Sequence, residues 1–376
     1  MKPVYADYAS ATPIEPAVSQ AMHKAMAELY ANPSSVHSFG QAANVALERA
    51  RQEVARFLNA NSDEVIFTSS ATESNNLAIL GYARANRNSG DHIVSSTIEH
   101  PSVHNAMLAL ERDGFKVTLI KPDSDGLIDP EELSWSVTAK TILVSLHLAN
   151  SEIGVIHPIS DISAKIKRRF GKIVLHCDAS QAAAWLDLNV SKLGVDLLSF
   201  NGSKIYAPHG QGVLYLRDSI NISPLFYGGA QQQGLRSGTE DVPGIVGLCE
   251  AVKIVSQRRT RDFKRIRQLR DQLIKKVERI YGVRVLLKNS PKLPNYLNVV
   301  VADGPKGSLV NRLDELNVAV SAGSACSSRS LNPPQSLLEI GLSPEEANRT
   351  VRITLGRHST KSDVDRIAIA LNKLVD

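Results

Sequence analysis

The residues in this chain best placed to do chemistry sit at two strand ends. Val195 to Phe200 is an apolar run that reads as a short buried strand, and it delivers Lys204 into a loop closed by Gly202 and Pro208. A lysine held at a strand end can lose solvation and its proton, which an amine needs to form a Schiff base with an aldehyde cofactor. Upstream, Lys172-Ile-Val-Leu-His-Cys-Asp178 reads as another strand, this one ending in a carboxylate. A carboxylate so placed is what pyridoxal phosphate requires to keep its pyridine nitrogen protonated. A lone lysine in a polar loop is ordinarily a solvated surface group. The second strand end is what sets Lys204 apart.

A third strand end has the form of an anion site. Val65-Ile-Phe-Thr-Ser-Ser-Ala-Thr72 passes from strand through small hydroxyl residues straight into helix-forming sequence. Free backbone N–H groups and the helix dipole favour a phosphate there, although Thr72 could equally cap a helix with no ligand. No Gly-x-Gly-x-x-Gly joins a strand to a helix and there is no P-loop, so the familiar nucleotide motifs are absent.

The elements that must position these groups alternate. Helical periodicity covers 15–30 and 41–58, and the loop Asn32-Pro-Ser-Ser-Val-His37 lies between. Strands at 64–68, 92–96, 116–120, 141–146 and 173–177 are interleaved with helices at 72–85, 102–112 and 159–169. This spacing predicts an α/β fold with a mainly parallel sheet and helices on both faces. Ligands on such sheets sit beyond the carboxyl ends of the strands, where Lys204, Asp178 and Thr72 fall. From about Ser256 the pattern changes to short strands at 284–287, 295–301, 318–321 and 351–355 and a helix at 362–374. The expected organisation is a large domain over 15–255 and a smaller α+β domain over 256–376, joined by the N-terminal arm 1–14, itself read as irregular.

Composition narrows the class. At 376 residues the chain suits two domains. The net charge of +5 is local, because Arg258 to Arg279 alone holds ten Lys or Arg against three acids. That stretch carries an apolar stripe at Phe263, Ile266, Leu269, Leu273, Val277 and Ile280, so it reads as an amphipathic helix with a solvated basic face. Without aromatic interleaving it does not call for nucleic acid. The three cysteines have no paired metal-ligand spacing, which predicts no metal site and a reducing compartment. No leader and no membrane-length apolar run is evident, so a cytoplasmic protein is expected. Cys326 lies in Ser321-Ala-Gly-Ser-Ala-Cys326-Ser-Ser-Arg-Ser-Leu-Asn-Pro-Pro334, a small-residue loop where a thiol is exposed and potentially nucleophilic. Cys177 and Cys249 fall on apolar segments and read as packing cysteines.

Taken together, ten motifs resemble the class V, fold-type I pyridoxal phosphate enzymes, and within them the cysteine desulfurases of the nitrogen-fixation and iron–sulfur-cluster type. They are Tyr8-Ala-Ser-Ala-Thr-Pro13, Asn32-Pro-Ser-Ser-Val-His37, Ala71-Thr-Glu-Ser-Asn-Asn76, Glu99-His100, Asn150-Ser-Glu-Ile-Gly154, Asp178-Ala-Ser-Gln181, Gly202-Ser-Lys204-Ile-Tyr206, Arg236-Ser-Gly-Thr239, Gly323-Ser-Ala-Cys326 and Val351-Arg352. The resemblance implies that Lys204 holds the cofactor covalently, Asp178 pairs with its ring nitrogen, His100 stacks on the ring and Gln181 lies near its phenolic oxygen. Ala71 and Thr72 would hold the phosphate, joined by Thr239 from the second subunit of a homodimer. Arg352 would fix the substrate carboxylate, with Asn150 and Asn32 on the substrate side. Cys326 would take sulfur from L-cysteine as a persulfide, leaving L-alanine, and pass it to a sulfur-acceptor protein.

The chain departs from that pattern in three places. Ser151 stands where the family has a second asparagine, and Asn201-Gly-Ser203-Lys204 replaces Ser-Gly-His-Lys, so the resemblance implies that Ser151, Asn201 and Ser203 contact the cofactor in their place. The sequence also stops at Asp376, without a C-terminal extension of the kind used for scaffold docking. A selenocysteine lyase, another class V aminotransferase-like enzyme and a non-catalytic protein of the same fold are the alternative readings. A lost hydrogen bond to a charged group costs about 1.5–3 kcal/mol, so Ser203→His and Ser151→Asn should each tighten cofactor binding by about one to two orders of magnitude. Titration of the apo-protein checks this. Equal affinity in all three proteins would show that other groups hold the phosphate.

Overall fold

The computed structural model describes residues 3–302, 306–323 and 333–375. The chain opens with a two-residue strand, β1 (Val4–Tyr5), and then two helices, Pro16–Glu28 and Ser38–Leu58. The main sheet follows, built from β2 (Val65–Thr68), β3 (His92–Ser96), β4 (Lys116–Ile120), β5 (Thr141–His147), β6 (Val174–Asp178), β7 (Leu197–Asn201) and β8 (Gly212–Leu216). Their order across the sheet is β2-β8-β7-β6-β5-β3-β4, and only β8 runs against its neighbours. These strands are wholly or almost wholly buried except β4, which explains their near-continuous apolar character. Two packed layers result. Leu175, Cys177, Leu198 and Phe200 join one core with the helices 38–58 and 242–277, while Ile93, Leu143, Val174 and Leu197 join the other.

The smaller sheet is antiparallel, with β9 (Val283–Val285), β10 (Tyr296–Val301) and β12 (Thr350–Thr354) in the order β12-β10-β9. Between them β11 (Val318–Ala319) pairs in parallel with β1, so the arm read as irregular is stitched to the C-terminal part of the chain.

The basic helix is longer than its stripe predicts. It runs from Val242 to Val277, capped by the Asp241 carboxylate on the Gly244 N–H at 3.1 Å. At about 1.5 Å per residue it spans roughly 54 Å. Its first half is buried against the helices Pro16–Glu28 and Ser38–Leu58, leaving no polar face to reveal a period. The expected boundary at 255/256 falls inside this unbroken helix. Short helices at Pro130–Ser136, Lys306–Glu315, Gln335–Glu339 and Pro344–Asn348 lie where no helix was expected.

A polar rung crosses the middle of the main sheet. His176, fully buried on β6, lies 2.8 Å from Ser145 Oγ on β5 and 3.1 Å from Ser199 Oγ on β7. Burial pushes its imidazole down to about 4, against an opposing effect of the Asp178 and Glu99 carboxylates. Burial likewise lowers His157 and His92. The native state therefore binds protons less readily than the unfolded chain does. Stability from neutral His176 is complete above about pH 6.5 and is lost as the pH falls toward 4, by on the order of 3 kcal/mol for this group. The urea midpoint should drop between pH 7.5 and 5, and less steeply in His176→Gln. A midpoint that stays level across that range would refute this assignment.

Candidate active site

The parallel strands β5, β6 and β7 end along one line, with His147 opposite Asp178 and Asp178 opposite Ser199. Beyond that edge lies a cavity of about 180 Å³. It is lined by Ala71, Thr72, His100, Ser151, Asp178, Gln181, Asn201, Lys204 and Arg352, all expected at one site, and by Ala9, Ser10, Ser102, His147, Ala149 and Ser180.

Each side chain has an identifiable holder. Asp178 is 6% exposed, and its carboxylate accepts from Asn75 Nδ2 at 2.8 Å and from the Ser180 N–H at 2.9 Å. Burial alone would raise its pKa, but hydrogen bonds from Ser180 and Asn75 outweigh that and hold the carboxyl below the usual range. His100 caps the helix Pro101–Arg112, its Nδ1 accepting from the Ser102 N–H at 3.1 Å. Asn75 ties the two together, since its Nδ2 also donates to Ser102 Oγ at 2.9 Å.

Lys204 sits in a single 3₁₀ turn, Gly202–Lys204, directly after β7, and its Nζ donates to the Ser10 carbonyl. Gln181 Nε2 donates to the Ala9 carbonyl at 3.0 Å. Ala71 and Thr72 begin the helical segment after β2, where the Ser70 hydroxyl accepts from the Glu73 N–H at 3.1 Å. Arg352 reaches the cavity from β12 and is 1% exposed. Its Nη2 donates to Asp7 Oδ1 at 2.9 Å and Ser10 Oγ at 2.8 Å, and Nη1 donates to the Ser151 carbonyl at 2.7 Å.

Four expected residues lie elsewhere. Asn150 is buried and saturated: its amide nitrogen donates to the Ile98 carbonyl and Ser336 Oγ, and its oxygen accepts from the Glu152 and Ile153 N–H groups. It shapes the loop that presents Ser151. Asn32 is exposed and accepts from the Ser34 N–H at 2.9 Å. The Ser203 hydroxyl donates to Asn201 Oδ1 at 3.3 Å and does not line the cavity, and Thr239 is exposed outside it. Cys326 lies outside the described residues. Ser321, which exchanges both backbone hydrogen bonds with Arg352, begins the stretch that carries it. Burial pushes the thiols of Cys177 and Cys249 up, the latter to about 11, so neither is primed as a thiolate.

Asp7, Ser10, Asn75 and His147 carried no assigned role in the sequence. Asp7 adjoins one quoted motif and Ser10 and Asn75 lie inside two, which was the available signal. His147, the last residue of β5, pairs through Nδ1 with the buried Glu99 carboxylate at 2.8 Å.

The chain resembles known proteins along almost its whole length. Residues 4–367 match the aminotransferase class-V family. The cysteine desulfurase IscS 1 of Archaeoglobus fulgidus is 40% identical over 372 residues, covering 99% of this chain and 97% of that protein. The cysteine desulfurase IscS of Dictyoglomus turgidum is 41% identical, covering 99% and 94%. Among solved structures, a NifS-like protein superposes with a TM-score of 0.94 at 32% identity over 99% of both chains. The structure described as SspA in complex with cysteine has a TM-score of 0.84 at 34% identity, covering 95% of this chain and all of that one. The chain belongs to the aminotransferase class-V family.

Proposed function

We propose that this protein is a cysteine desulfurase that holds pyridoxal phosphate in the Lys204–Asp178 cavity and moves the sulfur of L-cysteine onto Cys326. The observation that carries the reading is the convergence of Lys204, Asp178 and Arg352 on one cavity. Full-length likeness to relatives named cysteine desulfurases supports it. So does likeness to a structure described as holding cysteine.

The residues present fit the cofactor. A buried carboxylate kept ionised by Asn75 and Ser180 suits a protonated pyridine nitrogen. The helical start at Ala71 and Thr72 suits a phosphate. Bound there, the cofactor supplies an electron sink for negative charge developing at the substrate α-carbon. Lys204 Nζ is the group that removes and returns the α-proton. Arg352 orients the substrate by its carboxylate, and His100 and Gln181 wall the ring. The Cys326 thiolate attacks the substrate sulfur, so that a sulfur–sulfur bond forms as the carbon–sulfur bond breaks and carbon regains a proton. L-Cysteine and an enzyme thiol thus become L-alanine and an enzyme persulfide.

The assembly belongs to the same reading. Thr239, outside the cavity of its own chain, is the contribution of a second copy to that copy's partner, which makes the protein a homodimer. A sulfur-acceptor protein receives the persulfide sulfur, and residence is cytoplasmic. Among the described residues no helix is long and apolar enough to cross a membrane.

Given L-cysteine without reductant, the holo-protein should release about one L-alanine per site and retain one extra sulfur, which mass spectrometry should place on Cys326. Cys326→Ala should stop turnover, while Cys177→Ala and Cys249→Ala stay active. Borohydride should fix the cofactor to native protein but not to Lys204→Ala. Cofactor fixed to another lysine, or sulfur found on Cys177 or Cys249, would sink the assignment.

A further inference from the structure

Arg352 is the group expected to receive the substrate carboxylate, yet a carboxylate is already on it. Asp7 Oδ1 lies 2.9 Å from Nη2, and the same nitrogen donates to Ser10 Oγ at 2.8 Å. Both hydrogens of Nη2 are therefore committed. Nη1 spends one on the Ser151 carbonyl, and among the described residues Nε has no partner although it is buried. A carboxylate gripped by two parallel N–H bonds needs either the Nε/Nη2 edge or the Nη1/Nη2 edge. Every two-point grip therefore runs through Nη2. An entering α-carboxylate must take a hydrogen bond from Asp7 or Ser10, and beside Asp7 it also meets a like charge.

We propose that Asp7 is a built-in competitor for the substrate carboxylate at Arg352, and that exchange of one carboxylate for the other loosens the N-terminal arm around Lys204. This rests on the desulfurase reading, which supplies an α-amino acid substrate. The second half of the proposal follows from what else the arm holds. Ser10, three residues after Asp7, receives Lys204 Nζ on its carbonyl and Arg352 on its hydroxyl. Ala9 accepts Gln181, and Thr12 bonds the Ser203 carbonyl through both its N–H and its hydroxyl. One short segment thus touches the carboxylate anchor, the amine and a cavity wall residue. Asp7 is a specificity-determining residue in this scheme. A ligand with an amine and no carboxylate has nothing to exchange for it and leaves the arm closed.

Asp7→Asn keeps the shape and an oxygen acceptor but removes the charge. In the holo-protein, calorimetric titration with L-alanine, which has no sulfur to transfer, should give a Kd about ten-fold lower for Asp7→Asn than for native protein. KM for L-cysteine should fall by a similar factor with a smaller change in kcat, and Ser10→Ala, which removes a neutral bond only, should shift Kd less. In native protein, saturating L-alanine should speed hydrogen exchange at the amides of Ala9 and Thr12, a readout that needs no variant. If native protein turns over L-cysteine while Asp7→Asn binds L-alanine no more tightly, the role of Asp7 is overturned and the desulfurase reading stands. Unchanged exchange at Ala9 and Thr12 under saturation overturns the loosening of the arm. A native protein that neither binds L-alanine nor consumes L-cysteine overturns both readings.

Discussion

The site depends first on one buried charge. Arg352 is among the largest fully buried side chains, and a guanidinium withdrawn from water is tolerable only if its charge is countered and its terminal nitrogens are hydrogen-bonded. The partners come from three parts of the chain. Asp7 and Ser10 lie on the arm, Ser151 follows β5, and Arg352 itself is held to Ser321 across backbone hydrogen bonds. Satisfying that one cation forces the arm, the main sheet and the smaller sheet to meet at the cavity. An apolar residue there would remove both the constraint and the means of gripping a carboxylate.

The second constraint is the opposite charge. Asp178 is buried at the end of a parallel strand, where desolvation works to neutralise it, and it stays ionised because donors are aimed at it. The donors are fixed by other elements: Asn75 by the helical segment after β2, and Ser180 by the turn after β6. The fixed negative charge of Asp178 and the fixed positive charge of Arg352 line one cavity with Lys204. A zwitterionic amino acid and a cofactor with a protonated ring and a phosphate suit such a distribution. A ligand without a carboxylate would leave Arg352 on Asp7.

Much of this arrangement is legible in the sequence because the sheet is parallel. Strand ends carry the chemistry, and β3 and β4 fall where their pattern predicts them, over 92–96 and 116–120. Eight of the nine expected cavity residues converge for that reason, and Arg352 arrives instead from β12 of the smaller sheet. What was not legible is set by contacts with no local signature. Asp7 and Arg352 are 345 positions apart, and a two-residue strand such as β1 has no period to detect. The first half of the helix Val242–Val277 is buried nearly all round, so it lacks the polar face that marked its second half. Asn150 was assigned by motif to the substrate, but its amide is spent on the Ile98 carbonyl and Ser336, which only the folded loop reveals.

The loop that presents Lys204 is held in a conformation it would not choose alone. Tyr206, two residues on, has φ of 66°, a left-handed value unfavourable for a bulky side chain by about 1–2 kcal/mol. Such a conformation persists where surrounding contacts over-determine it. Here the Tyr206 N–H donates to Thr12 Oγ1 at 2.8 Å, and its carbonyl accepts from the Glu15 N–H at 3.1 Å. Its hydroxyl accepts from the Arg357 N–H at 2.7 Å, and the Arg357 guanidinium lies 4.2 Å from the ring centroid. Arg357 in turn is paired with Asp262 of the long helix at 2.8 Å. The backbone turn behind Lys204 is therefore fixed by the arm at one end of the chain and by the segment after β12 at the other. The arm also supplies Asp7, and β12 itself supplies Arg352. A change in how the arm is seated acts on the amine and on the carboxylate anchor together.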